Sequence, residues 1–224
     1  MKDLKLNPHL LTVPAYISGK PIEEVQEEYG LADVIKLGSN ENPLGPSPRA
    51  VAAFQDALKE GHRYPGVADK GLRQKLAAFY NARVSAQFDE HNFMTGNGLG
   101  DVLRMITHAF IFDGGESIYC DPTFPLYSIF TKMLGGVAVA VPHDNYRYNL
   151  RAVAEAITEC TRVIFVCNPN NPTGTIVTQA EVAAFMQRVP PSAVVVFDES
   201  YCDFVEDPNF PSALDYVKNG QDNV

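Results

Sequence analysis

Two runs in this chain are apolar at every position: Val163 to Cys167 reads VIFVC and Ala193 to Phe197 reads AVVVF. A strand with one solvated face alternates apolar and polar residues. Unbroken apolar runs therefore indicate strands covered on both faces, as in a parallel or mixed sheet lying between helices. Asn92 to Thr95, Ser117 to Cys120 and Val137 to Val141 complete the set of expected strands. Helical spacing is read near Asp101 to Phe112, Phe124 to Leu134, Leu150 to Thr158 and Gln179 to Val189, at lengths typical of strand–helix–strand units. Thr178 followed by Glu181 forms a capping box, and Pro190-Pro191 stops that helix. The expected fold class is α/β.

The N-terminal part reads differently. Its first 36 residues carry Pro8, Pro14 and Pro21 with one helical pattern around Ile22 to Tyr29, the look of an arm more than of a core. Gly38 to Pro48 contains three prolines and two glycines, which forbid a regular ladder and fix a turn path. Helices are then expected from Arg49 to Glu60, ending at Gly61, and through Leu72, Leu76, Phe79 and Tyr80. Lys218 to Val224 gives a turn signal and then an apolar residue, so the chain looks cut where another strand would begin.

Charge and composition exclude several function classes. With 46% apolar residues among 224, the chain can bury a substantial core. Lys and Arg number 18 against 27 Asp and Glu, a formal net charge of −9 with no basic tract to neutralise a phosphate backbone, so no nucleic-acid partner is expected. The apolar runs fall far short of the roughly 20 residues a membrane helix needs. The N-terminus lacks the apolar core of a secretory signal, and a cytoplasmic location is expected. Cys120, Cys160, Cys167 and Cys202 form no C-x-x-C pair and are assigned no chemistry. His9, His62, His91, His108 and His143 are scattered without ligand spacing, which disfavours a metal hydrolase.

In an open α/β sheet the ligand sits beyond the carboxyl ends of the strands, so the residues that follow each apolar run are the ones to question. Thr95 to Asp101 reads TGNGLGD, a glycine-rich turn into a helix whose first amides suit a phosphate. It fails the dinucleotide pattern G-x-G-x-x-G, and a tight connection is the plain alternative. Phe124, in DPTFPLY, could lie flat on a planar ligand or simply join the core. Asn171, in CNPNNPTG, could donate to a phenolic oxygen, or the asparagines could satisfy loop backbone groups. Asp198, in DESY, is a carboxylate after a strongly apolar strand. It would favour a positive partner such as a protonated ring nitrogen, or it caps the next turn or pairs with an arginine. All of these follow the strands of one sheet.

SNENPLGPSP, RYPG, the GNG turn, DPTFPLY, CNPNNPTG and DESY stand in an order and spacing that resembles the fold-type I pyridoxal phosphate aminotransferases. PAYISGKPIEEVQEEYG leading into IKLGSNENPLGPSP is similar to their histidinol-phosphate branch, and the likeness covers nearly the whole chain. The resemblance implies a mostly parallel mixed sheet between helices, with residues 1–36 as an arm and the start of a small domain, and 37–224 as an incomplete large cofactor-binding domain. It implies pyridoxal 5'-phosphate as cofactor. Asp198 would pair with the ring nitrogen, Tyr201 and Asn171 would bond the phenolic oxygen, and Phe124 would stack on the ring. The amides of Leu99 and Gly100 would hold the phosphate, Tyr64 would reach the phosphate of the neighbouring subunit in a homodimer, and Tyr16 and Asn40 would contact the amino-acid substrate.

Two departures stand out. Leu99-Gly100-Asp101 stands where the family that the chain resembles usually has a small residue and an acidic pair after the glycine turn; the backbone amides survive that change, and a side-chain contact to phosphate does not follow from the resemblance. None of Lys20, Lys36, Lys59, Lys70, Lys75, Lys132 or Lys218 lies in a Ser-x-x-Lys context. The resemblance therefore implies that the Schiff-base lysine and two substrate- and phosphate-binding arginines follow Val224, so that no catalytic residue lies within these residues and they do not turn over alone. The implied reaction exchanges an amino group between L-histidinol phosphate and 2-oxoglutarate, a step of histidine biosynthesis. Rival readings are an aromatic-amino-acid aminotransferase or a threonine-phosphate decarboxylase of the same fold, or a non-catalytic small-molecule binding module.

Overall fold

A computed structural model describes residues 5–16, 19–64 and 66–224. Ile17 and Ser18 of the PAYISGK motif and Pro65 of RYPG lie outside the described residues. The chain forms two compact units, one of Met1–Pro14 with Ala68–Val224 and one of Ala15–Val67.

The larger unit is built on four strands, β1 (Glu116–Asp121), β2 (Val137–Pro142), β3 (Thr161–Cys167) and β4 (Val194–Asp198). They lie in the order β2-β1-β3-β4, and every pairing is parallel. The central strands β1 and β3 are buried almost throughout, as unbroken apolar runs require, whereas β2 at one edge leaves Val137 half exposed. Helices α4 (Gly98–Phe110) and α5 (Leu126–Met133) pack together, and so do α6 (Leu150–Glu155) and α7 (Gln179–Met186). Right-handed crossovers in opposite directions along the sheet put these two pairs on opposite faces. Leu103, Tyr127, Ile118, Phe165, Val153, Val182 and Val195 make up much of the core between them.

The capping box of α7 forms as the sequence requires: Thr178 Oγ1 accepts from the Glu181 amide, and Glu181 Oε2 accepts from the Thr178 amide at 2.7 Å. Asn92 to Thr95 is not a strand. Glu90–Asn92 is a short 3-10 turn capped by Asp89, and Phe93 is extended without a ladder partner among the described residues. Extended backbone becomes a strand only beside a neighbour that takes its hydrogen bonds. Here the order β2-β1-β3-β4 offers it no slot. Tyr80 stacks on Phe93, and the Asn81 side chain bonds both the carbonyl and the amide of Phe88; these contacts hold the segment to α3 (Lys70–Val84) instead. A helix that the apolar pattern does not announce, α8 (Ala213–Lys218), follows β4.

The smaller unit holds α1 (Ile22–Tyr29), ended by Gly30 at φ +64, and α2 (Pro48–Ala57), prolonged by one 3-10 turn to Glu60. None of the residues in these two helices is fully buried. The proline-rich loop between them is irregular, as its composition dictates.

Candidate active site

The sheet changes direction between β1 and β3, since β1 leads to β2 on one side and β3 to β4 on the other. Such a switch point opens a crevice at the carboxyl ends of the strands. Here the opening begins inside the sheet. The β1–β3 register ends at Ile118 and Ile164, and just beyond it the gap is spanned by the hydroxyl of Tyr148, which accepts from the Cys120 amide at 3.0 Å and donates to the Phe165 carbonyl. The Phe165 ring is stacked on that of Tyr127, with centroids 4.5 Å apart and planes 9° from parallel.

Asp198 ends β4 and is 4% exposed. Its Oδ2 accepts from the Tyr127 hydroxyl at 2.5 Å, and its Oδ1 accepts from the Ser200 amide at 3.2 Å and the Ser200 hydroxyl at 2.7 Å. Among the described residues no Lys, Arg or His side chain forms an ion pair with it. The arginine alternative raised by the sequence is thus absent, while the turn-capping one is present together with a carboxylate that has no countercharge. Burial, and then the charge of Asp198, push the Tyr127 phenol far above the usual tyrosine range, so it stays a donor. Burial likewise raises Cys167 and Glu199, with the Asp198 charge adding to both.

Phe124 stands after β1, partly buried, its ring 5.9 Å from that of Tyr127 and nearly perpendicular to it. Beside it, the glycine turn enters α4 through Gly98 at φ +72. A Cβ on Gly100 would come within 3.2 Å of Leu126, so glycine permits the first turn of α4 to lie close to the start of α5. The Gly98 amide is taken by the Gly96 carbonyl and the Asn97 amide by Asp101. The amides of Leu99 and Gly100 remain as first-turn donors, which have no intrahelical acceptor. Arg104 pairs with Asp101 at 2.6 Å and, with the Asn97 amide, holds its carboxyl below the usual range.

The CNPNNPTG loop is tied to this same place by Asn170. Its Oδ1 accepts from Thr123 Oγ1 at 2.7 Å, and its Nδ2 donates to the Pro122 carbonyl at 3.1 Å and to Thr173 Oγ1 at 2.9 Å. That clasp sets Asn171, half-buried and next in sequence, at the same end of the sheet as Phe124. Tyr201 follows Asp198 by three residues and caps a 3-10 turn, Cys202–Phe204. The structure therefore brings together the neighbourhoods of Leu99, Gly100, Phe124, Asn171, Asp198 and Tyr201. Tyr16, Asn40 and Tyr64 belong to the smaller unit: Tyr16 is half exposed, Asn40 sits in its loop at φ +51, and Tyr64 is fully exposed.

A family model described as aminotransferase class I and II matches residues 32–223. The chain belongs to that family. Among curated relatives, a histidinol-phosphate aminotransferase of Moorella thermoacetica is 46% identical over 220 residues, covering 98% of this chain and 55% of the relative. One of Brevibacillus brevis is 42% identical, covering 92% of the chain and 55% of the relative. The chain spans about half the length of the curated relatives it matches. Among solved structures, a histidinol-phosphate aminotransferase from Sinorhizobium meliloti in complex with pyridoxal-5'-phosphate has a TM-score of 0.77 at 22% identity, over 92% of this chain and 54% of that one. A putative histidinol-phosphate aminotransferase from Erwinia carotovora atroseptica has a TM-score of 0.75 at 28% identity, over 83% and 53%.

For this aminotransferase-family chain, sequence reasoning missed Tyr127. It lies in DPTFPLY three residues after the singled-out Phe124, and its only early signal is its place in that motif; the structure buries its ring fully, which leaves a polar tip that demands a partner.

Proposed function

We propose that these residues are the cofactor-cradling part of a histidinol-phosphate aminotransferase, an enzyme exchanging an amino group between L-histidinol phosphate and 2-oxoglutarate. The observation that carries the proposal is the buried Asp198 carboxylate at the mouth of the switch-point crevice, bonded among the described residues by neutral donors alone. A buried carboxylate with two to three donors keeps acceptor capacity and gains most from a cationic hydrogen-bond donor. The residues present fit pyridoxal 5'-phosphate on that ground. Asp198 would take the ring nitrogen, Phe124 the ring face, Asn171 and Tyr201 the phenolic oxygen, and the Leu99 and Gly100 amides the phosphate.

The cofactor, when bound, supplies an electron sink for the pair left as the substrate Cα–H bond breaks. The chain's own residues bind and orient. Asp198 would hold the protonated ring nitrogen, and the amides opening α4 would hold the phosphate dianion without a full protein charge. Tyr64 of one subunit would reach the phosphate held by its neighbour in a homodimer, and Tyr16 and Asn40 would contact the amino-acid substrate. The free state of all four cysteines supports a reducing, cytoplasmic setting, and among the described residues no helix is long and apolar enough to cross a membrane.

Binding of pyridoxal 5'-phosphate, followed by its absorbance, tests the cradle: Asp198→Asn is expected to weaken it by about 10- to 100-fold, the loss of one charged hydrogen bond. Unchanged affinity sinks the assignment. Substrate choice is tested by fusing the chain to the C-terminal part of the Moorella thermoacetica relative. The fusion is expected to favour histidinol phosphate over phenylalanine and threonine phosphate by at least about a hundredfold in kcat/KM. Incubated alone with cofactor and glutamate, the chain is expected to give no sustained amino transfer, because none of Lys20, Lys36, Lys59, Lys70, Lys75, Lys132 or Lys218 lies in the Ser-x-x-Lys context that the resemblance implies for the Schiff-base lysine.

A further inference from the structure

We propose that Tyr127 is the positioning residue of this site: it fixes the Asp198 carboxylate and thereby decides whether the shared proton rests on the ligand's ring nitrogen or on the carboxylate. The inference rests on the reading of Asp198 as the ring-nitrogen partner given above.

Three features of Tyr127 single it out. Its ring is fully buried and held from two sides, stacked on Phe165 and edge-on to Phe124, so the hydroxyl has little freedom. That hydroxyl bonds Asp198 Oδ2, while Ser200 occupies Oδ1 with two donors, so both oxygens are pinned and the carboxylate plane cannot turn. The phenol also remains protonated throughout the ordinary pH range, because burial and the neighbouring carboxylate both oppose its ionisation.

A buried carboxylate facing a heteroaromatic nitrogen can exist as an ion pair, carboxylate with protonated ring, or as a neutral pair, carboxylic acid with unprotonated ring. Low polarity favours the neutral pair. A strong neutral donor on the carboxylate stabilises its anionic form and so favours the ion pair. Tyr127 is that donor. No bond to the ligand is involved, and Tyr127 acts through Asp198. Through its edge contact with Phe124 it also couples the group that meets the ring nitrogen to the group proposed for the ring face.

The probe is pyridoxal 5'-phosphate carrying ¹⁵N in the ring, whose resonance reports protonation at that atom. Tyr127→Phe keeps the stacked ring and removes the donor. It is expected to move the resonance toward the unprotonated value and to lower the midpoint of ring titration by about one pH unit, a tenfold loss in proton affinity. Placing 3,5-difluorotyrosine at position 127, a stronger donor of nearly the same shape, is expected to shift the midpoint the opposite way; a purely structural role predicts no such reversal. If near-UV circular dichroism shows that Tyr127→Phe does not fold, the difluorotyrosine arm decides. Wild-type titration in both variants, with Asp198→Asn abolishing ring protonation, overturns the role of Tyr127 alone. Wild-type titration in Asp198→Asn, or no binding of the probe at all, overturns the underlying reading.

Discussion

Asn170 is the residue on which the geometry of the crevice most depends. It is 2% exposed and uses both ends of its amide to join the loop after β1 to the loop after β3. Asn170→Ala would leave the Pro122 carbonyl and the Thr123 hydroxyl without this partner, and is expected to cost about 2–3 kcal/mol in urea unfolding. The cysteines give a second test at this scale. Burial pushes the Cys120 thiol up to about 12, against an ordinary value of 9.0. The folded chain therefore holds that proton where the unfolded chain releases it, and stability falls as pH climbs from 9 toward 12. At pH 8 a thiol reagent is expected to modify exposed Cys160 quickly and buried Cys120 and Cys167 only on unfolding. The sequence made the strand-end positions of Phe124, Asn171 and Asp198 legible, because apolar runs mark where strands stop. It could not show that Asn170, not Asn171, makes the clasp, or that Tyr127 holds Asp198, because both depend on which loops the fold brings face to face.

Among the elements, α7 has the clearest local instructions. Thr178→Ala removes one half of its capping box and is expected to lower stability by about 1 kcal/mol. Burial works against ionisation of Glu181, but bonds from Thr178 and from Arg147 outweigh it and hold the carboxyl below its usual range. A lowered folded pKa contributes stability above the unfolded value of 4.5 that disappears as pH falls through the folded one. The cost of Thr178→Ala is therefore expected to shrink when unfolding is measured in acid. Local chemistry of this kind is readable in one dimension. Asn92 to Thr95 shows the limit: its residues suit extended backbone, and the backbone at Phe93 is extended, but a strand exists only with a neighbour. The six-residue helix α8 is too short for periodicity to announce, and the stacking of Tyr216 on Phe197 helps anchor it to the end of β4.

For the molecule as a whole, the parallel order β2-β1-β3-β4 carries the connection from β1 to one side of the sheet and that from β3 to the other, and the chemistry-bearing residues collect where the two connections part, next to the Asn170 clasp. The order itself was not legible, since apolar runs give strands without saying which sits beside which. The uncompensated carboxylate of Asp198 has a consequence for folding. Among the described residues Asp198 has no cationic partner, so a cation-bearing heterocycle that enters supplies one and must raise the melting temperature in proportion to the logarithm of its concentration. At a hundred times its Kd the gain is about 2.7 kcal/mol, or roughly 5–10 °C for a chain of this size. A simple melting curve then becomes a titration, and Asp198→Asn should flatten it.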